Sequence, residues 1–133
     1  MSAVGDSSNA ERVVRQFMAT CTQAWPTGDT TSLGRFFSED AEYHNGPLKP
    51  VKGQDAIVAS LTEMMALGGE VEADIRHLVA DGPVVMTERV DYVRLGDKLA
   101  SLRIAGVFEV DGGVITAWRD YFDGNEFGAQ LQA

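Results

Sequence analysis

The first half of the chain places apolar residues at helical spacing, which predicts two long helices. The first is predicted to begin at a capping-box pair, Ser8 and Glu11, and to end at Pro26. The other runs from about residue 54 to 67, where Gly68-Gly69 provides a stop. Their apolar positions are Val13, Val14, Phe17, Met18, Cys21 and Trp25, and then Ile57, Val58, Leu61, Met64 and Met65.

A short helix and a strand are predicted between these two helices. Thr31 is expected to cap the short helix. The apolar residues of that helix are Leu33, Phe36 and Phe37. Residues 41–45 fit a short strand, and the prolines at 47 and 50 make the segment after it a loop.

From residue 71 onward the hydrophobic period changes to two, which predicts strands. Turn sequences rich in glycine and aspartate separate four of them. Helices followed in sequence by consecutive antiparallel strands indicate an α+β fold, with the helices packed on one face of a curved sheet. Residues 1–8 are expected to be a disordered lead and residues 9–133 a single domain. The predicted strands are 71–80, 84–95, 98–110 and 114–123.

Three strands each carry an unusual pair of side chains two residues apart, and such pairs share one face of a strand. The two-residue turn Gly96-Asp97 sets Arg89 opposite Ile104 on a strand whose even positions are all apolar. Arg89 is therefore expected on a buried face, together with its pair partner. The pairs are Tyr43 with Asn45, Arg89 with Asp91, and Trp118 with Asp120.

The face of the last pair depends on the turn that precedes it. A two-residue turn would put Asp120 on the opposite face from Arg89. A three-residue loop at 111–113 puts Asp120 opposite Ile104, on the same face, and buries Val114, Trp118 and Phe122 together. We favour the three-residue loop, which predicts that Asp91, Arg89 and Asp120 cluster. A buried structural ion-pair cluster is the alternative interpretation of such a group.

Composition narrows the range of partners. The chain has 133 residues, 44% of them hydrophobic, and a formal charge of −9. Such a surface repels phosphate backbones and anionic lipids, so nucleic acid and membranes are not expected as partners. With one cysteine, Cys21, and no apolar run of about 18 residues, the sequence predicts a soluble cytoplasmic protein. His44 and His77 share no metal-ligand spacing, and no glycine-rich phosphate loop is present, so neither a metal nor a nucleotide cofactor is expected.

The three motifs Tyr43-His44-Asn45, Arg89-Val90-Asp91 and Trp118-Arg119-Asp120 resemble the limonene-1,2-epoxide hydrolase family across nearly the whole chain. The resemblance implies a cone-shaped fold of the nuclear-transport-factor-2 (NTF2)-like or SnoaL-like type, with a mixed, mostly antiparallel sheet. It also implies a homodimer that needs no cofactor and adds water to a small apolar epoxide to give a diol.

The resemblance further implies a role for each polar residue. Asp120 is the general base, and Tyr43 and Asn45 hold the same water molecule. Asp91 is the protonated general acid, and Arg89 aligns the two carboxylates. Trp118 is expected to supply packing and an indole donor to a carboxylate. Candidates for the apolar substrate-binding wall are Leu102, Ile104, Phe122, Met64, Met65 and Trp25.

Two alternatives remain open at the level of sequence. One is a ketosteroid-isomerase-like or polyketide-cyclase-like enzyme, which an arginine between two aspartates does not suit, because the cation keeps an aspartate ionised. The other is a non-catalytic module of the same fold that binds an apolar ligand or dimerises, which would not require the polar cluster.

Overall fold

The computed structural model describes residues 7–132 of the chain. In this range a 3₁₀ turn, Gly34–Phe36, precedes the first strand. The helices are α1 (Ser7–Ala24), α2 (Gln54–Ala66) and α3 (Gly124–Gln132). The strands are β1 (Phe37–Asn45), β2 (Val51–Lys52), β3 (Glu70–Asp81), β4 (Val84–Leu95), β5 (Lys98–Asp111) and β6 (Val114–Tyr121).

Helix α1 buries the apolar face that its spacing predicts, but its start differs from the prediction. Ser7 and Ser8 belong to the helix, although the sequence assigned them to a disordered lead. Residues 1–6 of that predicted lead lie outside the described range. The predicted capping box is wrong, because Ser8 already lies inside the helix and therefore is not its N-cap residue. The Glu11 carboxylate accepts a hydrogen bond from Arg15 Nε at 2.8 Å. The buried residues of this face include Val13, Val14, Phe17, Met18 and Cys21.

The short helix predicted after Thr31 is a single 3₁₀ turn, and Phe37 is already the first residue of β1. Thr31 does not cap it. Its backbone N–H and its hydroxyl instead donate to Asp29 Oδ1 at 3.0 and 2.8 Å, which closes a local turn before the 3₁₀ segment. The predicted strand at 41–45 is correct but too short, because β1 begins four residues earlier.

Helix α3 is the one helix that the sequence reading missed. The last strand was predicted to extend to residue 123, but β6 ends at Tyr121. The Oδ1 atom of Asp123 accepts the backbone N–H groups of Asn125 and Glu126 at 3.0 and 3.3 Å. This is N-cap geometry, and the acid-x-x-Glu spacing of residues 123–126 was the available signal.

The six strands form one sheet in the order β2-β1-β6-β5-β4-β3. β1 and β6 run parallel, and the other neighbouring pairs are antiparallel. The sheet curls around α1, which contacts β3, β4, β5 and β6. The predicted α+β fold with a curved, mixed and mostly antiparallel sheet is therefore confirmed.

The register between β4 and β5 is the one that the sequence predicts. Leu95 pairs with Lys98 across the two-residue turn, Arg89 lies opposite Ile104, and Asp91 lies opposite Leu102. Because a two-residue turn fixes which residues of the two strands lie opposite each other, this register follows directly from the position of Gly96-Asp97.

The register between β5 and β6 was predicted wrongly, although the predicted face is correct. Asp111 pairs with Val114 across a two-residue turn, so the expected three-residue loop is absent. A register shift between Glu109 and Val110 then restores the parity. As a result Asp120 lies opposite Gly106 instead of Ile104, on the face where Arg89 lies.

Candidate active site

Arg89 lies at the centre of the polar cluster, and its side chain is only 2% exposed. Its Nε donates to Asp91 Oδ1 at 3.0 Å. Its two terminal nitrogens donate in parallel to Asp120, Nη1 to Oδ1 at 3.0 Å and Nη2 to Oδ2 at 2.6 Å. One guanidinium thus holds two carboxylates, and the predicted clustering of these three residues is confirmed.

Asp120 accepts a third hydrogen bond from the indole Nε1 of Trp118, which meets Oδ1 at 2.9 Å. The indole donor was predicted. Oδ1 therefore receives two donors, whereas Oδ2 receives one from the residues that the structure describes. Oδ2 keeps a lone pair that is available to another hydrogen-bond donor, such as a water molecule.

Aromatic packing fixes the Trp118 ring that makes this contact. The ring lies parallel to those of Tyr43 and Phe108, with centroids 4.1 and 5.6 Å away. Phe17 of α1 meets Trp118 edge-on at 5.0 Å. Because these rings are buried and interlock, the indole donor has little freedom to leave Asp120.

The parallel pairing of β1 with β6 brings the third motif to the cluster. Tyr43 lies beside Trp118 and Asn45 beside Asp120. The backbone N–H of Gly46 donates to the Asp120 carbonyl at 2.8 Å, which holds the end of β1 against β6. Tyr43 and Asn45 both line the same cavity as Asp91 and Asp120.

The amide of Asn45 has a defined orientation. Its Nδ2 donates to the thioether sulfur of Met64, 3.6 Å away. The carbonyl oxygen Oδ1 of Asn45 therefore remains as the acceptor for a molecule in the cavity.

The cavity over this cluster has a volume of about 420 Å³. Most of the residues predicted for the substrate-binding wall line this cavity, but Met65 does not. Met65 is 3% exposed and belongs to the hydrophobic core, because neighbouring residues of a helix such as Met64 and Met65 point in different directions. The sequence reading also missed the contribution of α3. The predicted residues that line the cavity are Trp25, Met64, Leu102, Ile104, Trp118 and Phe122, and α3 adds Gly124, Phe127 and Leu131.

The two carboxylates have different surroundings. Burial raises the pKa of Asp91; attraction to Arg89 and the hydrogen bond from it act in the opposite direction, and the nearby charge of Asp120 raises the pKa further, so that the net shift is upward. Its side chain is 15% exposed, compared with 4% for Asp120. Among residues 7–132, Asp91 accepts one hydrogen bond, at Oδ1, which leaves Oδ2 free to carry a proton.

Three other groups at the site keep their protons or their charge. Burial raises the pKa of the Tyr43 hydroxyl well above its usual value, and burial raises the pKa of the Cys21 thiol to about 12. Burial acts to lower the pKa of Arg89, but attraction to Asp120 and Asp91 outweighs it, so the pKa is raised. Tyr43 is therefore a neutral donor, Cys21 a neutral thiol and Arg89 a permanent cation at neutral pH.

The histidines lie away from this cluster. His44 contacts Glu42 at 3.4 Å and His77 contacts Glu88 at 2.7 Å, both on the surface. Residues 7–132 contain no group of three or more histidine, cysteine, aspartate or glutamate side chains arranged to hold a metal ion. None of the helices in this range is long and apolar enough to cross a membrane.

A curled sheet with a carboxylate–guanidinium–carboxylate cluster under an apolar cavity defines a class of small α+β proteins with an enzyme-like site. The sequence profile of the limonene-1,2-epoxide hydrolase catalytic domain matches residues 8–132. The chain therefore belongs to the limonene-1,2-epoxide hydrolase family.

Individual relatives agree with this assignment. The chain is 36% identical over 95 residues to the epoxide hydrolase EphG of Mycobacterium tuberculosis, a stretch that covers 71% of this chain and 63% of EphG. The structure of an LEH-like epoxide hydrolase from M. tuberculosis superposes with a TM-score of 0.79 at 31% identity, covering 96% of this chain and 92% of that one. An NTF2-like protein from Anabaena variabilis, 20% identical, shares the fold with a TM-score of 0.78 and coverage of 96% and 97%.

Proposed function

We propose that the protein is an epoxide hydrolase that opens an apolar epoxide to a vicinal diol in one step, without a cofactor. The observation that carries the proposal is the Asp91–Arg89–Asp120 cluster at the floor of an apolar cavity. Family membership and the similarity to proteins named as epoxide hydrolases support the reaction class.

Epoxide opening requires an activated water and a proton for the oxygen that leaves carbon. In the proposed mechanism the water donates one hydrogen to Asp120 Oδ2 and the other to Asn45 Oδ1, and it accepts the hydroxyl proton of Tyr43 in a hydrogen bond. The remaining lone pair of the water attacks an epoxide carbon. Both acceptor atoms have a free lone pair, and Tyr43 is neutral, so this set of roles fits the hydrogen bonds of the site.

The second proton transfer completes the balance. As the water oxygen bonds to carbon, the C–O bond of the epoxide breaks and its oxygen takes the proton from Asp91. Asp120 gains a proton from water while Asp91 loses one, so the net charge of the enzyme is unchanged. Arg89 contacts both carboxylates and stabilises whichever one bears the negative charge.

An isomerase of similar fold is the nearest rival, and the site argues against it. An isomerase needs neutral donors to hold a developing enolate. Here the group in contact with both aspartates is a cation whose pKa is raised, and both terminal nitrogens are committed to Asp120. The non-catalytic alternative would be favoured by a solvent-facing Arg89 or Asp120, and both side chains are buried.

Single-turnover hydrolysis in ¹⁸O-labelled water tests the proposal. With enzyme in excess over limonene oxide or cyclohexene oxide, after dialysis against a chelator, every diol molecule is expected to carry one ¹⁸O atom in the first turnover. A covalent ester on an aspartate would instead deliver an unlabelled carboxylate oxygen at first. If neither these epoxides nor a wider panel gives any diol, and the protein turns over an enolisable ketone, the proposed hydrolase activity is rejected in favour of an isomerase activity.

The raised pKa of Asp91 predicts how stability depends on pH. An aspartate in the unfolded chain has a pKa of about 3.9. Between that value and the raised pKa the folded state binds more protons than the unfolded state, so the stabilising contribution is complete below about pH 3.9 and is lost as the pH rises through the folded pKa. Urea unfolding from pH 4 to 8 should therefore show the wild type losing stability relative to Asp91→Asn as the pH rises. A constant difference between the two proteins would contradict the assignment of Asp91 as the proton carrier.

We further propose that the protein acts as a cytoplasmic homodimer, without nucleic acid or membrane as partners. One observation supports self-association, and another supports the absence of anionic partners. Val79 and Met86 are cross-strand neighbours on the outer face of the sheet and are 66% and 51% exposed. The formal charge of −9 disfavours anionic surfaces.

A further inference from the structure

Gly106 lies in the middle of β5, directly between the two strands that carry the cluster. It pairs with Thr87 of β4 on one side and with Asp120 of β6 on the other. Its φ angle is outside the left-handed region, so any residue could adopt its backbone conformation. A glycine within a strand stabilises it less than alanine does, so a glycine here needs a reason other than backbone geometry.

The reason is visible in the space that a side chain would occupy. A Cβ atom on residue 106 would lie 2.7 Å from Arg89 Nη1, 2.9 Å from Asp120 Oδ1 and 2.9 Å from Thr87 Oγ1. Two of these atoms are the donor and acceptor of one hydrogen bond of the cluster, 3.0 Å long. The missing side chain is thus directly beneath that bond.

The crowded atoms cannot move without breaking contacts. The Arg89 guanidinium is held by three hydrogen bonds to two aspartates, and Asp120 Oδ1 is also bound to Trp118 Nε1. Trp118 is in turn fixed by its ring contacts. A methyl group at position 106 would therefore displace the guanidinium from the carboxylate.

We propose that Gly106 is a positioning residue whose missing side chain makes the space in which Arg89 and Asp120 meet in the geometry that catalysis needs. This role rests on the proposed function of the Asp91–Arg89–Asp120 cluster. Gly106 is not among the residues that line the cavity, so it acts through the cluster and not through contact with the substrate.

The variant Gly106→Ala tests the proposal by steady-state kinetics on the epoxide that the wild type hydrolyses best. Misplacement of catalytic groups by about 1 Å costs on the order of 10²-fold in rate, so kcat is expected to fall by about that factor while KM stays within about twofold. The acid limb of the pH–rate profile is expected to move to higher pH, because a carboxylate that loses its guanidinium partner is protonated more easily. A purely structural role would change neither the profile nor the ratio of kcat to KM in this way.

Two further variants make the outcomes decisive. Gly128→Ala in α3, where a Cβ meets nothing within 4 Å, is the matched control and should keep wild-type kcat. Thr87→Ala combined with Gly106→Ala removes one of the three crowded atoms and is expected to recover part of kcat, with Thr87→Ala measured alone as its reference. Folded Gly106→Ala with wild-type kcat and pH profile would overturn the proposal. Failure of both Gly106 variants to fold would also overturn it, because it would assign the glycine to strand packing.

The failure of the proposed function gives a different result. If the cluster is not catalytic, Asp120→Asn keeps its activity in the same assay, or the wild type has none. In that case Gly106→Ala has no kinetic effect, because the chemistry lies elsewhere, and the proposed function itself is rejected. If Asp120→Asn loses its activity but Gly106→Ala keeps wild-type kinetics, only the positioning role of Gly106 is rejected.

Discussion

Replacing Asp120 with asparagine is expected to lower kcat for epoxide hydrolysis by about 10²–10⁴-fold, the range typical of a lost general base. The amide has nearly the size of the carboxylate but cannot accept a proton from water. In either orientation its NH₂ group would face a nitrogen donor of Arg89, and in one orientation it would also face the indole donor of Trp118. Diol formation at saturating substrate measures the loss, and circular dichroism and thermal unfolding check that the variant is folded.

A matched substitution controls for the change of an aspartate to an asparagine. Asp111 is exposed at the end of β5, next to the turn to β6, and Asp111→Asn should keep wild-type kcat. If folded Asp120→Asn retains more than half of the wild-type kcat, Asp120 is not the base, and Asp91, on the other side of Arg89, becomes the candidate.

Replacing Arg89 with leucine is expected to cause the largest loss of stability at the site, about 3–5 kcal/mol in the free energy of unfolding at neutral pH. This is the typical cost of removing one partner from a buried ion pair, because the remaining charge has no compensation. Here two carboxylates would be left facing each other, with side chains only 15% and 4% exposed. Urea unfolding monitored by tryptophan fluorescence measures the loss.

The chain offers an internal comparison for this prediction. Arg103 forms a similar two-bond pair with Glu126, at 3.0 and 2.6 Å, but its side chain is 76% exposed. Arg103→Leu is therefore expected to cost far less, because solvent screens the pair. Similar losses for the two variants would mean that burial does not govern the energetics of Arg89.

The stability deficit of Arg89→Leu should also shrink at low pH. Once both aspartates are protonated, no uncompensated negative charge remains in the core. Adding Asp91→Asn and Asp120→Asn to the same chain should recover part of the loss at neutral pH for the same reason. A deficit that persists unchanged in both cases would indicate lost packing around the long side chain.

The fold was largely predictable because its signals are local. The two-residue turn between β4 and β5 fixes which residues of these strands pair, so the positions of Arg89 and Asp91 opposite Ile104 and Leu102 followed from the sequence. The period-two pattern placed β3 to β6 within a few residues of their observed bounds. Helix α3 was missed although its cap is a local signal, because the last strand was predicted to run to Asp123, the residue that caps the helix.

The register of β6 could not be predicted, because it depends on packing across the sheet. The two-residue turn and the register shift between Glu109 and Val110 each move β6 by one residue from the predicted pairing. Together they set Trp118 opposite Phe108, with the two rings stacked. In this position the Trp118 ring also packs against Phe17 of α1 and Tyr43 of β1, which are distant from it in sequence. The relation of Gly106 to Asp120 depends on the same shift and was therefore invisible in the sequence.

The sequence by itself determined which residues are candidates for the polar cluster and that Arg89 and Asp91 occupy the buried face of β4, because strand periodicity and the length of the turn at Gly96-Asp97 are local properties. It did not determine which atoms meet. The paired hydrogen bonds from Arg89 to Asp120, the orientation of Asn45 by Met64 and the exclusion of Met65 from the cavity are decided by the tertiary structure. These contacts join residues far apart in the chain, and their geometry is set by the packing of α1, α2 and the aromatic core.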